Sequence, residues 1–229
     1  GANEHICAVD AGTGDIRWKQ AAAVAPLSLA ADAERVVFHN GEAVVCLDRE
    51  TGKRRWASEE VPRKGKVPTF SGFSMVLHDG VVLVAYQAKA AALDAATGKS
   101  LWRGKRGHGG HRSPMDLLVI DDLVWSLEQG KGVFTGLDVR TGETKREFGP
   151  DVKGYGWFHH RCHNARATTR YLLAARTGIE YVDWREQHWD PNHWVRGACL
   201  YGFMPANGLT YAPQDPCGCY IEAKLKGLN

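Results

Sequence analysis

The sequence contains no long hydrophobic run and little net charge, and these two features exclude several classes of function. No stretch reaches the roughly 18 consecutive apolar residues that a membrane-spanning helix needs, so we predict no transmembrane segment. The formal net charge of the 229 residues is only +3, and basic residues are spread along the chain. This balance argues against a nucleic-acid partner and against binding to an acidic membrane surface.

An export signal is also absent from this stretch, although the cysteines favour an oxidising compartment. Residues 1–5 have neither the basic start nor the apolar run of a signal peptide, so we expect any such signal to lie outside these 229 residues. Four of the six cysteines fall in the last third of the chain, which favours disulfides and an extracytoplasmic location, periplasmic or secreted. The disulfide candidates are Cys7, Cys46, Cys162, Cys199, Cys217 and Cys219.

Two groups of cysteines have different expected partners. Cys217 and Cys219 are separated by one residue, so each can reach a different partner, for which Cys162 and Cys199 are the candidates. Cys7 and Cys46 occupy near-equivalent strands of consecutive repeats, and they either bridge or are buried as small apolar side chains. The connectivity is not determined by the sequence.

The sequence does contain an internal repeat of the form Asp-x-x-Thr-Gly, ended in three copies by a Trp four residues after the Gly. The four copies run from Asp10 to Trp18, Asp48 to Trp56, Asp94 to Trp102, and Asp138 to Arg146. Their leading aspartates are separated by 38, 46 and 44 positions, and weaker copies follow at Asp183 and Glu222. A period of about 40 to 45 residues is typical of a four-stranded propeller blade.

One copy shows why this pattern predicts a strand, a turn and a second strand. The β-rich run Glu42–Leu47 leads to Asp48, whose carboxylate can accept backbone N–H groups just ahead of it. Gly52 can adopt the positive φ that closes the turn, and the chain returns as a strand that carries Trp56. A large flat side chain at a fixed place in each blade suits the space between neighbouring blades.

The repeats resemble those of the quinoprotein-like propellers, a family that includes the pyrroloquinoline-quinone (PQQ) alcohol dehydrogenases and the outer-membrane assembly lipoprotein of the β-barrel machinery. The resemblance covers residues 5 to about 148, and His159–Leu228 is similar to the end of planctomycete proteins with PQQ-like repeats. It implies an all-β fold, a β-propeller of four-stranded antiparallel blades with about five to six blade equivalents.

We expect residues 1–229 to form one such propeller domain or part of one. The predicted segments are a partial blade 1–20, blades 21–60, 61–105, 106–150 and 155–195, and a partial blade 197–229. A ring of seven or eight blades needs about 300 residues, so three alternatives stay open. These are a six-bladed ring, a fragment of a longer protein, and a ring completed by another chain. We favour the fragment because both ends interrupt a blade.

The densest group of polar side chains lies between residues 159 and 163, with three histidines and a cysteine. Such a group could bind a metal ion, with His160, Cys162, Cys217 and Cys219 as one set of ligands. His188 and His193 are the alternative to the second pair. The favoured alternative places Cys162 in a disulfide and the histidines along a polar blade edge. With the Gly-rich basic loop at residues 104–113, the candidate ligand-binding residues are His159, His160, Arg161, His163, His108 and His111.

The resemblance does not imply a quinone-dependent activity for this chain. The dehydrogenases of the family use an adjacent Cys-Cys disulfide, an acidic base beside a calcium ion and a Trp platform under the cofactor. This chain has only Cys217-Gly-Cys219, and no carboxylate can be matched to the base. We therefore predict no catalytic residue and no cofactor, with PQQ or a metal ion as the alternative. We expect packing between blades, and not stacking on a sugar, to be the use of Trp184, Trp189 and Trp194.

These observations predict a non-catalytic, extracytoplasmic propeller scaffold. It would bind a protein or a small ligand at a rim or in a central channel, where propellers carry their binding loops. The expected partner is another protein or the remaining blades of the same protein. The alternative is the propeller part of a quinone- or metal-dependent oxidoreductase, or of a larger multidomain enzyme.

Overall fold

The computed structural model describes residues 4–61, 73–86, 89–105, 116–128, 132–152, 163–174, 178–192 and 194–213. In these ranges the secondary structure consists of twenty β-strands, so the all-β class is confirmed. The described residues include no helix that is long and apolar enough to cross a membrane. The chain divides into two compact units, one of residues 1–105 with 139–142 and one of residues 106–138 with 143–229.

The first unit contains three antiparallel sheets. The two-stranded sheet pairs β1 (His5–Val9) with β2 (Ile16–Ala21). The next sheet is a meander of β3 (Leu29–Ala31), β4 (Arg35–His39), β5 (Val44–Asp48) and β6 (Arg54–Ser58). The third sheet is a meander of β7 (Ser74–His78), β8 (Val81–Tyr86), β9 (Lys89–Asp94) and β10 (Ser100–Lys105).

The described residues of the second unit form two further four-stranded meanders and a hairpin. One four-stranded meander consists of β11 (Leu118–Ile120), β12 (Leu123–Glu128), β13 (Val133–Asp138) and β14 (Thr144–Phe148). Another consists of β15 (Arg166–Ala167), β16 (Tyr171–Ala174), β17 (Glu180–Asp183) and β18 (His188–Asp190). The two-stranded sheet pairs β19 (Met204–Ala206) with β20 (Leu209–Tyr211). The four-stranded antiparallel blade is thus the repeating element of both units.

Each Asp of the repeat begins the turn between the last two strands of its sheet. The Oδ1 atom of Asp48 accepts the backbone N–H of Thr51 at 2.9 Å, and Asp94 accepts that of Thr97 at 2.8 Å. The backbone N–H of Gly52 then bonds to the carbonyl of Asp48, with a φ of 69° at the glycine. These bonds join residues at most four positions apart, which is why the turn can be predicted from the sequence alone.

Each unit has its own apolar core. In the first unit the core joins the sheet β3–β6 to the sheet β7–β10, through completely buried residues such as Val37, Val44 and Val84. The core of the second unit is aromatic and joins the sheet β11–β14 to the sheet β15–β18. Its largest members are Trp125, Phe134, Phe148, Trp184 and Trp189. The sheets therefore pack face to face within each unit, as neighbouring propeller blades do.

Candidate functional site

The tryptophans of the repeat each bind the turn of the following repeat. In all three cases the indole N–H donates to the carbonyl of the residue just after the next leading Asp. The bonds run from Trp18 to Arg49 at 2.7 Å, from Trp56 to Ala95 at 2.9 Å, and from Trp102 to Val139 at 2.9 Å. The sequence repeat is therefore also a chain of contacts in which each copy is joined to the next.

The glycine of each turn lies against the same indole. A Cβ atom placed on Gly52 would lie only 2.6 Å from the Trp18 ring, and one on Gly98 would lie 2.6 Å from the Trp56 ring. The sequence predicts glycine here for its positive φ, but the structure adds a second reason, because no side chain fits under the ring. The Trp of one repeat and the Gly of the next therefore pack against each other.

The Trp of the fourth copy and the Gly of the fifth turn are both absent. The fourth copy has Arg146 in place of the Trp, paired across the sheet with Gly136. In the fifth turn Gln187 takes the glycine position with a φ of 58°, and the carboxylate of Asp183 still accepts the N–H groups of Arg185 and Glu186. Because the preceding copy supplies no indole, a side chain is tolerated at residue 187 at the cost of a left-handed backbone.

The leading aspartates are held in their ionised form by neighbouring donors. Arg17 lies 2.5 Å from the Asp10 carboxylate, and this bond, together with the N–H groups of Thr13 and Gly12, lowers the pKa of Asp10 to about 2. Arg55 lowers the pKa of Asp48 in the same way, from a distance of 2.7 Å. The same bonds tie each carboxylate to the turn that it begins.

Most of the ligand-binding and metal-binding candidates lie outside the described residues. These are His108, His111, His159, His160, Arg161, Cys162, His193, Cys217 and Cys219. His163 is described and is almost completely buried, with Nδ1 3.0 Å from the carbonyl of Asn164 and the ring edge-on to Phe203. Over the ranges that the structure covers, no group of three or more His, Cys, Asp or Glu side chains is arranged to hold a metal ion.

The described cysteines form no disulfide with one another. Cys7 is exposed and Cys46 is completely buried, so the predicted bridge between them is not formed, and Cys46 is instead a small core side chain. Burial raises the pKa of the Cys46 thiol to about 11. Cys199 lies 3.7 Å from the Arg196 guanidinium, which donates to its sulfur atom. The pairings predicted for Cys162, Cys217 and Cys219 lie outside the described residues.

A charged pair that sequence reasoning missed joins the loop after β14 to β18. Nδ1 of His188 lies 2.6 Å from Oδ2 of Asp151, and Oδ1 of the same carboxylate accepts the backbone N–H of Trp189 at 3.0 Å. The hydrogen bond to Asp151 raises the pKa of His188 and lowers that of Asp151. His188 therefore already has a structural partner, 37 positions away in the sequence.

We expect the stability of the second unit to depend on pH through this pair. The raised pKa of His188 means that its ion pair stabilises the fold below the ordinary histidine pKa near 6.5, and that this stabilisation is lost as the pH rises through the raised value. An NMR titration of the His188 ring protons measures the pKa directly, and Asp151→Asn should bring it down towards 6.5. An unchanged pKa in the variant would contradict this assignment.

The β19–β20 hairpin and the residues just before it carry most of the large exposed apolar side chains among the described residues of the second unit. Five large side chains between residues 200 and 211 are 46–80% exposed, and we call them the hairpin surface: Leu200, Tyr201, Met204, Leu209 and Tyr211. A groove of about 790 Å³ beside them contains Arg166 and the buried ring of Phe203. A second groove of about 590 Å³ is lined by Tyr171, Tyr181, Thr210 and the Asn207–Gly208 turn.

Comparison with known proteins places the chain in a family. The family model described as outer membrane protein assembly factor BamB matches residues 1–114 and 40–187. The chain belongs to that family. This result confirms the resemblance to PQQ-repeat propellers that the repeat predicts. No curated protein matches the chain.

Solved structures similar to this chain share its fold. BamB from Moraxella catarrhalis is 19% identical with a TM-score of 0.55, over 90% of this chain and 62% of that one. The quinohemoprotein alcohol dehydrogenase ADHIIG from Pseudomonas putida HK5 is 16% identical with a TM-score of 0.53, over 87% of this chain and 41% of that one. The quinohemoprotein alcohol dehydrogenase from Comamonas testosteroni is 14% identical with a TM-score of 0.54, over 87% of this chain and 42% of that one. The chain spans less than two thirds of each, and these identities show the β-propeller fold alone.

Proposed function

We propose that this chain is a non-catalytic, extracytoplasmic propeller scaffold that binds a protein partner through the hairpin surface. The observation that carries the proposal is the concentration of exposed Tyr, Met and Leu side chains on the β19–β20 hairpin and just before it. Aromatic residues and methionine are enriched in protein interfaces, and a contiguous exposed apolar patch marks an interaction site. Partner binding would remove these side chains from water.

Two further observations support a scaffold. The family is described as an outer membrane protein assembly factor, which agrees with a protein partner and an extracytoplasmic location. The repeat residues are occupied by structural contacts, since the Trp and Gly positions pack together and the ionised aspartates bind their own turns. The partner would be either a separate protein or the remaining blades of the same protein.

The alternative proposal is a propeller belonging to a quinone- or metal-dependent oxidoreductase or to a larger multidomain enzyme. Its support is the likeness to quinohemoprotein alcohol dehydrogenases, but a shared fold does not carry a shared activity. Absorbance spectra of the purified protein for bound quinone or haem, with elemental analysis, distinguish the two. We expect neither cofactor nor stoichiometric metal, and finding one would favour the enzyme.

The partner proposal is tested by a variant that adds charge to the hairpin surface. We expect Tyr201→Ser combined with Met204→Lys to abolish co-purification of the partner from the cell-envelope fraction. Ile16→Lys is the matched control, because Ile16 is also an exposed apolar side chain, at 60%, and belongs to the first unit. A partner set that is unchanged in the hairpin variant, or that is lost equally in the control, would refute the assignment of this surface.

A further inference from the structure

We propose that the second groove beside the β19–β20 hairpin is a binding site for an uncharged sugar unit. We call it the tyrosine groove. The residues that matter for the argument are Thr168, Tyr171, Tyr181, Asn207, Leu209 and Thr210. This inference goes beyond the proposed binding of a protein partner and does not depend on it. The volume of about 590 Å³ lies within the range of small-molecule sites.

The first argument is the absence of charge from the groove. Among the residues that the structure describes, none that lines this groove is acidic or basic, whereas the neighbouring groove contains Arg166. Arg170 packs over the ring of Tyr171, but its Nε atom lies 2.6 Å from the Asp183 carboxylate, which neutralises it. A charged ligand would lose water in the groove without gaining a counter-charge, so an uncharged ligand is favoured.

The second argument is the set of hydroxyl groups. The hydroxyls of Tyr181 and Thr210 lie 2.8 Å apart, so one hydrogen is shared between them and the other remains to be donated to a ligand. The Thr168 oxygen accepts the backbone N–H groups of Arg170 and Tyr171, which leaves its own hydrogen for donation. A purely apolar ligand would cover these hydroxyls without satisfying them, and this is unfavourable.

The third argument is the apolar part of the wall. The Tyr171 and Tyr181 rings meet edge to face, with centroids 6.1 Å apart, and both are half-buried. Leu209 is 61% exposed on the facing strand, and Pro205 and Ala206 extend the apolar surface. A sugar ring complements both the apolar wall and the hydroxyl groups of the groove. Its C–H face packs against aromatic and aliphatic side chains, while its hydroxyls donate and accept hydrogen bonds.

The groove is assembled from three separate parts of the second unit. Thr168 and Tyr171 flank the turn before β16, Tyr181 lies in β17, and Thr210 lies in β20. The Asn207–Gly208 turn forms one end, with positive φ at both residues. This type of turn matches the twist of its hairpin, so the backbone at this end of the groove has a defined conformation.

The test is calorimetric titration of the protein with maltose and cellobiose, with glucuronic acid as the charged comparison. We expect saturable binding of at least one neutral disaccharide and weaker binding of glucuronic acid. Tyr181→Phe and Thr210→Val each remove one hydroxyl but keep the shape, and each should weaken binding by about threefold to tenfold. Tyr211→Phe is the matched control, since Tyr211 lies next to Thr210 but lines the other groove, and it should leave the affinity unchanged.

Three outcomes would overturn the proposal. These are no saturable binding of either neutral disaccharide, tighter binding of glucuronic acid, and equal losses in Tyr211→Phe and Tyr181→Phe. Thermal unfolding of each variant checks that the fold is retained, and the two hydroxyl variants lie on different strands, so either one alone is informative. The hairpin variants designed for the protein partner leave Tyr181 and Thr210 intact, so the failure of one proposal is distinguishable from the failure of the other.

Discussion

Replacing Trp189 with alanine is expected to lower the free energy of unfolding of the second unit by about 3–5 kcal/mol. The Trp189 side chain is completely buried in the aromatic core between the sheets β11–β14 and β15–β18. Its ring centroid lies 5.3 Å from that of Phe134, and its backbone N–H is bound by Asp151. Removing the ring leaves a cavity that the surrounding strands cannot close, because both sheets are fixed by their hydrogen bonds.

Trp194 is the matched control for this prediction. It lies five positions further along the chain, and it is 74% exposed. We expect Trp194→Ala to change the free energy of unfolding by less than about 0.5 kcal/mol, because the Trp194 side chain buries little apolar area in the folded protein. Urea unfolding followed by tryptophan fluorescence and circular dichroism measures both variants. Similar values for the two would show that the aromatic core is not organised as described.

Replacing Gly52 with alanine is expected to destabilise the first unit by about 2–4 kcal/mol, from two separate causes. Gly52 has a φ of 69°, a left-handed conformation that a side chain disfavours. The added Cβ atom would also lie 2.6 Å from the Trp18 ring, which donates a hydrogen bond to Arg49 in the same turn and cannot move without losing it. Denaturant unfolding of the variant measures the combined effect.

Two other turns separate the causes. Gly14 has a φ of 79° with no atom near its added Cβ, so Gly14→Ala should show only the conformational cost, about 1–2 kcal/mol. Gln187 already carries a side chain at the same position with a φ of 58°, and Gln187→Gly should change stability by less than about 1 kcal/mol.

A double-mutant cycle isolates the ring contact. In a Trp18→Ala background the cost of Gly52→Ala should fall to that of Gly14→Ala, because the indole no longer occupies the space. An unchanged cost in that background would mean that the indole contact contributes nothing, and that backbone conformation alone explains the glycine.

The tryptophans show how far each level of reasoning reaches. Trp18, Trp56 and Trp102 recur at one place in the repeat, and this regularity predicted a structural use. Trp189 and Trp194 are close together in a stretch where the repeat is weak, and no sequence pattern distinguishes a buried side chain from an exposed one there. Only the packed sheets show that the first is in the core and the second is on the surface.

The cysteines and histidines show the limit more sharply. Their number and position favoured a disulfide between Cys7 and Cys46 as one alternative, but the strands place one thiol in water and the other in the core. His188 was considered as a metal ligand, and it is instead paired with Asp151 in a loop 37 positions earlier. A side chain that recurs in no motif has no partner that spacing alone can identify.

The sequence by itself determined the all-β class, the four-stranded blade and the Asp-x-x-Thr-Gly turn. These features depend on contacts within a few residues and on a motif that recurs several times along the chain. The tertiary structure alone decided which Trp side chains are buried, why the turn glycines cannot carry a side chain, and how Thr168, Tyr181 and Thr210 meet in one groove. These features depend on how strands distant in sequence pack against each other, and no local pattern encodes that arrangement.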